Sequence, residues 1–217
     1  MPSIVLIDYG SGNLRSAEKA LIRAARDLAG SPEVVTTDEP EIIAAADRLV
    51  LPGVGAFAAC MAAVTARPGL SEALEEAVRA RGRPFLGICV GMQLMASRGL
   101  EFGETPGFDW IDGEVRRLEP SGLSSPIRLK VPHMGWNSLE GVGSHPVFAG
   151  LEGRDMYFTH SFAFYPSEAE DVAAWTSHGE RFAAAVASDN MAGVQFHPEK
   201  SQALGLKLLG QFLEWRP

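Results

Sequence analysis

The chain has 217 residues, 46% of them apolar, and a mean hydropathy of +0.03, which suits one large α/β domain over residues 1–217 that buries a full core without staples. Its formal net charge of −8 and pI near 5.2, with no compensating Lys/Arg cluster, exclude the basic surface that nucleic acid or an anionic membrane would require. The apolar run 4–7 meets Asp8 too early for a signal-peptide core, and no run approaches the roughly 20 residues of a membrane span, so a cytoplasmic protein is expected.

Residues 4–7 read as a buried strand, followed by the turn Asp8-Tyr9-Gly10-Ser11-Gly12-Asn13 and a helix over about 14–28, with Leu14, Ala17, Leu21 and Leu28 near one face. Val34-Val35 and Arg48-Leu49-Val50-Leu51 read as two further strands, the latter ended by Pro52-Gly53. Helices are expected around 56–66 and 71–81, then an apolar run 84–88 that feeds a glycine-rich turn and another helix through Met92-Gln93-Leu94-Met95-Ala96. This alternation is the pattern of a mostly parallel, flavodoxin-like sheet flanked by helices. Between about 108 and 194 the texture changes to short strands of antiparallel or mixed character at 114–117, 156–159, 172–175 and 182–186, before a closing helix over 204–213.

Gly87-Ile88-Cys89-Val90-Gly91 stands where a strand meets a helix, the pattern of a nucleophile elbow. Small residues beside the nucleophile leave room for a sharp, closely packed turn, and a thiol at a helix N-terminus lies where unpaired N–H groups favour negative charge. A lone cysteine is more often a buried apolar residue, and Cys60, in an Ala-rich helical stretch, is read that way; the turn around Cys89 is what reverses the odds there. Of the five histidines, His197 follows the strand-like run 192–196 and has a carboxylate at a useful spacing, in His197-Pro198-Glu199. In an extended segment residues two apart face the same way, which would bring Glu199 to the far nitrogen of the ring and complete a Cys-His-Glu triad. A surface turn is the plain alternative. No second His or Cys lies at ligand spacing, so neither a metal nor another cofactor is expected. Pro52-Gly53-Val54-Gly55 offers free N–H groups, so Gly53 and Val54, with the N–H of Val90, are the candidate oxyanion donors.

The elbow, extended through Met92-Gln93, together with His197-Pro198-Glu199-Lys200-Ser201, resembles the triad (class I) glutamine amidotransferases. The segments Asp8-Tyr9-Gly10-Ser11-Gly12-Asn13-Leu14, Pro52-Gly53-Val54-Gly55 and Pro132-His133-Met134-Gly135-Trp136-Asn137 narrow the likeness to the glutaminase subunits of imidazole glycerol phosphate synthases, over nearly the whole chain. That resemblance implies hydrolysis of glutamine through a glutamyl thioester on Cys89, with His197 moving the proton and Glu199 orienting it. The ammonia would pass to a cyclase partner, a (β/α)8 barrel forming a heterodimer with this chain, to make imidazole glycerol phosphate and aminoimidazole carboxamide ribotide in histidine biosynthesis. Gly55, Gln93, Ser161 and Phe162 match glutamine-binding positions, and Asn13, Trp136 (in a loop flanked by proline and glycine) and Lys200 match positions at the partner interface. Phe162 departs from the family's frequent Tyr, so any role of that hydroxyl is vacant or moved, while backbone contacts of the segment survive. The same catalytic residues would also serve a glutaminase of anthranilate, aminodeoxychorismate, guanylate or pyridoxal phosphate synthesis, or a cysteine hydrolase. A nucleotide-binding module using Gly10-Ser11-Gly12 lacks its third glycine, since Arg15 stands there.

Overall fold

The computed structural model describes residues 3–26, 28, 32–120 and 129–217. Among the described residues the first half runs β1 (Ser3–Ile7), α1 (Leu14–Ala25), β2 (Glu33–Thr37), α2 (Pro40–Ala45), β3 (Arg48–Gly53), α3 (Phe57–Thr65), α4 (Leu70–Leu74), β4 (Phe85–Cys89) and α5 (Val90–Gln93). The second half runs β5 (Ala96–Gly99), β6 (Thr105–Pro106), β7 (Ile111–Arg117), β8 (His133–Ser138), β9 (Asp155–His160), β10 (Phe162–Pro166), β11 (Val172–Ser177), β12 (Arg181–Ser188), β13 (Met191–Val194) and α6 (Gln202–Glu214).

The central sheet has the order β11-β12-β13-β4-β3-β1-β2. Its pairings from β13 through β2 are parallel, and β11 and β12 are added antiparallel at one edge. Every residue of β3 and of β4 is buried, as expected of parallel strands covered on both faces. α1 turns Ala17, Ala20, Leu21 and Ala24 inward and packs beside α6. These elements agree with the expected sheet and with the closing helix.

The differences are local and have causes. α1 ends at Ala25, with Arg26 donating to the Ile22 carbonyl at its C-terminus; of the expected extension, residue 27 lies outside the described residues. The helix expected over 71–81 is α-helical only through Leu74 and widens into a π-turn over Glu75–Ala80. Met92-Gln93-Leu94-Met95-Ala96 does not continue as a helix, because its backbone is drawn into a second sheet of order β10-β7-β5-β6. There the Leu94 carbonyl accepts from Phe108, and the Met95 carbonyl accepts from both Trp110 and Ile111. Tertiary pairing overrides helix propensity at these buried residues. Trp136, read as a loop residue, lies on β8, which among the described residues pairs with β9 as a two-stranded antiparallel ribbon (Trp136 opposite Tyr157).

Candidate active site

Three glycines let the backbone approach closely at the C-terminal end of β4. A Cβ on Gly87 would stand 2.6 Å from the Gly91 carbonyl oxygen, and one on Gly91 would stand 1.9 Å from the carbonyl oxygen of Leu51 in β3. Gly53 pairs with Cys89 across the sheet, and its own Cβ would meet the Gly91 nitrogen at 2.7 Å. Within this close packing Cys89 itself takes φ 55° and ψ −110°, outside the comfortable regions for a side chain. Such strain costs about 1–3 kcal/mol and persists only where surrounding packing holds it. The turn is thus the strained elbow that the glycine spacing implies, followed by a helix of a single turn.

β13 leads to His197 on the neighbouring side. Its ring Nδ1 lies 2.8 Å from Oε1 of Glu199, and both side chains are nearly inaccessible, at 2% and 4% exposed. The contact expected from sequence is present, but not by extended geometry. Pro198–Lys200 form a 3-10 turn, which Pro198 can open because a first helical residue needs no N–H partner. The turn is tied down by Lys200 N–H to the His197 carbonyl (3.0 Å) and by Ser201 Oγ to that same carbonyl (2.7 Å). The ribbon fixes the other side: His197 N–H donates to the Tyr157 carbonyl at 2.9 Å, and Tyr157 N–H donates to Ser201 Oγ at 3.0 Å. Among the described residues, His197 Nε2 is buried without a hydrogen bond of standard geometry, as is Glu199 Oε2. Burial opposes a charge on His197, yet the nearby Cys89 and the bonded Glu199 outweigh it and hold the ring's pKa up at about 9.

A cleft of about 270 Å³ opens above the sulfur. Val54, Gly55, Val90, Gln93, Ser161, Phe162 and Lys200 line it with Cys89 and His197, so most residues singled out from sequence do converge. Gly55 has φ 111° with open space where a Cβ would be, a conformation glycine tolerates. The Val54 carbonyl accepts from Ser11 Oγ at 2.6 Å and from Cys60 Sγ at 3.6 Å. Cys60 is therefore more than the small apolar filler it was taken for; it helps hold the loop that carries Gly53 and Gly55. Asn13 is exposed at the start of α1, beside a narrow void reaching His197 and Glu199. Trp136 is 48% exposed on the same face of β8 as Met134, which is 64% exposed. A second cleft of similar volume, at the opposite end of the sheet, holds Arg48, whose guanidinium is taken up by the carbonyls of Leu213 and Trp215.

Two residues of the site, one beneath the sulfur and one in the cleft wall, escaped the sequence reading. Gln195 is fully buried and its Nε2 lies 3.6 Å from Cys89 Sγ. Its signal was available: a polar residue ending an apolar strand, two positions before His197. Glu101 lines the cleft while its Oε2 accepts from Phe57 N–H at 2.8 Å, at the start of α3. It comes from a connecting loop, where no periodicity announces a buried function.

Comparison with known proteins agrees with this geometry. The profile of the family described as "Glutamine amidotransferase class-I" matches residues 5–214. The "Imidazole glycerol phosphate synthase subunit HisH" of Caulobacter vibrioides is 58% identical over 218 residues, covering 100% of each chain. The protein of the same name from Cereibacter sphaeroides is 55% identical, covering 98% of this chain and 99% of its own. Among solved structures, one titled "Crystal structure of glutamine amidotransferase" superposes with a TM-score of 0.65 at 18% identity over 97% of both chains, a likeness of fold. With its strained cysteine elbow and histidine–glutamate pair, the chain belongs to the class-I glutamine amidotransferase family, in the group of imidazole glycerol phosphate synthase HisH subunits.

Proposed function

We propose that the chain is the glutaminase subunit of an imidazole glycerol phosphate synthase, hydrolysing glutamine to glutamate and ammonia for histidine biosynthesis. The observation that carries the chemistry is the buried His197–Glu199 pair beside Cys89 on its strained elbow. With the proton held on His197 Nε2, the ring atom left without another partner, Cys89 Sγ attacks the side-chain amide carbon. N–H groups from Gly53-Val54 and Val90 hold the resulting oxyanion. His197 returns the proton to the departing nitrogen, the C–N bond breaks and ammonia leaves. Water then attacks the thioester with His197 as base, the C–S bond breaks with its electron pair going to the sulfur, and glutamate departs while His197 keeps the proton taken from water. Throughout, Glu199 holds Nδ1 and steadies the imidazolium.

Gly55, Gln93, Ser161 and Phe162 are the substrate contacts of this reading. A free amino acid also brings an α-ammonium, and Glu101 supplies a carboxylate in the same cleft. Replacing it as Glu101→Gln should raise KM for glutamine by about tenfold or more with kcat little changed, since a charge-assisted bond contributes roughly 1.5–3 kcal/mol. Steady-state kinetics check this.

The partner reading is supported by the ribbon's exposed apolar face. Trp136 stands edge-on to Tyr157 at 5.9 Å, Lys200 lies 5.8 Å from the same ring, and Lys200 and Thr159 belong to the cleft wall. Exposed apolar groups beside a reactive cleft suit a subunit that covers it. A cyclase with a (β/α)8 barrel, docking over Asn13, Trp136 and Lys200, is the partner we assign. Glutamine labelled with 15N in its amide tests the scheme: the assembled synthase should place the label in its imidazole product even with excess unlabelled ammonium in solution. Label diluted to the solvent ratio would refute channelling to such a partner.

The pH dependence follows from His197. Its proton is the one the departing ammonia needs, and its pKa is raised to about 9. The kcat/KM for glutamine should therefore hold through neutrality and fall as pH rises past about 9. In Glu199→Gln the same limb should move toward neutral pH, because a supporting charge is gone. A pH–rate profile for both chains decides it.

A further inference from the structure

Seven polar contacts, six of them buried or half-buried and the outermost exposed, form one continuous chain ending at the catalytic sulfur, and its direction can be worked out. The Phe162 carbonyl can only accept, so the two groups on it, His160 Nδ1 and Gln93 Nε2, both at 2.9 Å, must donate. The other hydrogen of Gln93 Nε2 points to Gln195 at 2.9 Å, so Gln195 presents Oε1 there and turns its Nε2 to Cys89 Sγ, at 3.6 Å. Reversing that amide would set two NH2 groups against each other and an oxygen against the sulfur.

The other end agrees independently. Asn137 Nδ2 donates to the Ser177 carbonyl at 2.9 Å and lies 3.2 Å from His133 Nε2, which therefore accepts. Neutral His133 then carries its hydrogen on Nδ1 and gives it to His160 Nε2 at 3.1 Å, leaving His160 to donate from Nδ1 to Phe162. Both ends demand the same ring tautomers. Burial keeps both rings neutral, with pKa values lowered to about 4 for His133 and about 3 for His160. The chain thus runs from the ribbon bearing Trp136 to the nucleophile, anchored on two main-chain carbonyls, with Gln93, Gln195, His133 and His160 all buried. A network this buried is stable only when every member is satisfied, so each link constrains the next.

We propose that Gln195 is a further catalytic residue, its amide N–H donating to Cys89 Sγ, and that Gln93, His160, His133 and Asn137 are positioning residues that fix which way that amide faces. The inference rests on the glutaminase reading. Negative charge returns to the sulfur when the thioester breaks down, and a donor aimed at it stabilises that step. Acylation, in which the sulfur loses charge, gains nothing from it. The expected signature is therefore specific to deacylation.

The test uses the assembled synthase carrying Gln195→Met or His133→Phe. Gln195→Met should lower kcat about tenfold and KM with it, leave kcat/KM within about twofold, and let the glutamyl thioester accumulate to a level seen by intact-mass measurement. His133→Phe, which keeps a ring stacked on Phe158, should show the same pattern at about threefold. On the unmodified chain, 15N spectra of the histidines should place the hydrogens of His133 and His160 on Nδ1. A fall in kcat/KM without thioester accumulation, wild-type kinetics in both variants, or a hydrogen on Nε2 of either ring would overturn the proposal. Should Gln195→Met not fold, His133→Phe and the tautomers decide. Absence of glutaminase activity in the unmodified synthase would instead refute the underlying reading.

Discussion

Cys89→Ala should abolish glutamine hydrolysis, by at least about 10⁴-fold, while the assembled synthase still makes product from an added ammonium salt. The expectation is large because the nucleophile has no substitute: the other cysteine, Cys60, is buried against Ser11 and the Val54 carbonyl, beneath the loop rather than in the cleft. The variant is also structurally mild. Alanine retains the Cβ, so the φ of 55° is neither relaxed nor worsened, and the packing set by Gly53, Gly87 and Gly91 does not involve the sulfur. Thermal melting should therefore change little, which separates loss of chemistry from loss of fold. Product formed from ammonium shows that the partner is assembled and working. Hydrolysis surviving in this variant would remove Cys89 from the mechanism.

Sequence reading succeeded where one local rule governs. The parallel strands were legible because buried residues run continuously, as at residues 4–7, and the elbow because glycines recur around one cysteine in a strand-to-helix step. It fell short where distant segments decide. The residues after Gln93 have the propensity of a helix, but carbonyls of Leu94 and Met95 are claimed by residues 108 to 111, and only the folded chain reveals that competition. Glu199 was paired with His197 for the wrong backbone reason, since a proline-started turn and a period-2 strand can bring the same two side chains together. Trp136 looked like a loop residue because glycine and proline surround it, though the ribbon tolerates Gly135 at φ 136°. Glu101 and the alignment of Gln93 with Gln195 depend on loop placement and on pairing between β4 and β13, which no short window contains.

Gly91→Ala should destabilise the chain on the order of 4 kcal/mol or more, enough to leave little folded protein, since a domain's whole stability is about 5–15 kcal/mol. The new Cβ would stand 1.9 Å from the Leu51 carbonyl oxygen and 2.9 Å from its carbon. Neither atom can retreat cheaply, because Leu51 lies in β3 and is held in register with Gly87 of β4, itself 2.6 Å from the Gly91 carbonyl by the same measure. Relief would require parting the two central strands at the elbow. The same substitution elsewhere should have the opposite sign. Gly210 lies inside α6 with open space where a Cβ would go, so Gly210→Ala should stabilise by about 0.5–1 kcal/mol through helix propensity and a less flexible unfolded chain. Gly55→Ala falls between: nothing obstructs the methyl group, but φ 111° is strained for alanine, at about 1–3 kcal/mol. Urea denaturation of the three variants should order them Gly210→Ala, Gly55→Ala, Gly91→Ala from most to least stable. If Gly91→Ala melted like the parent chain, the close approach of α5 to β3 that creates the elbow would be wrong.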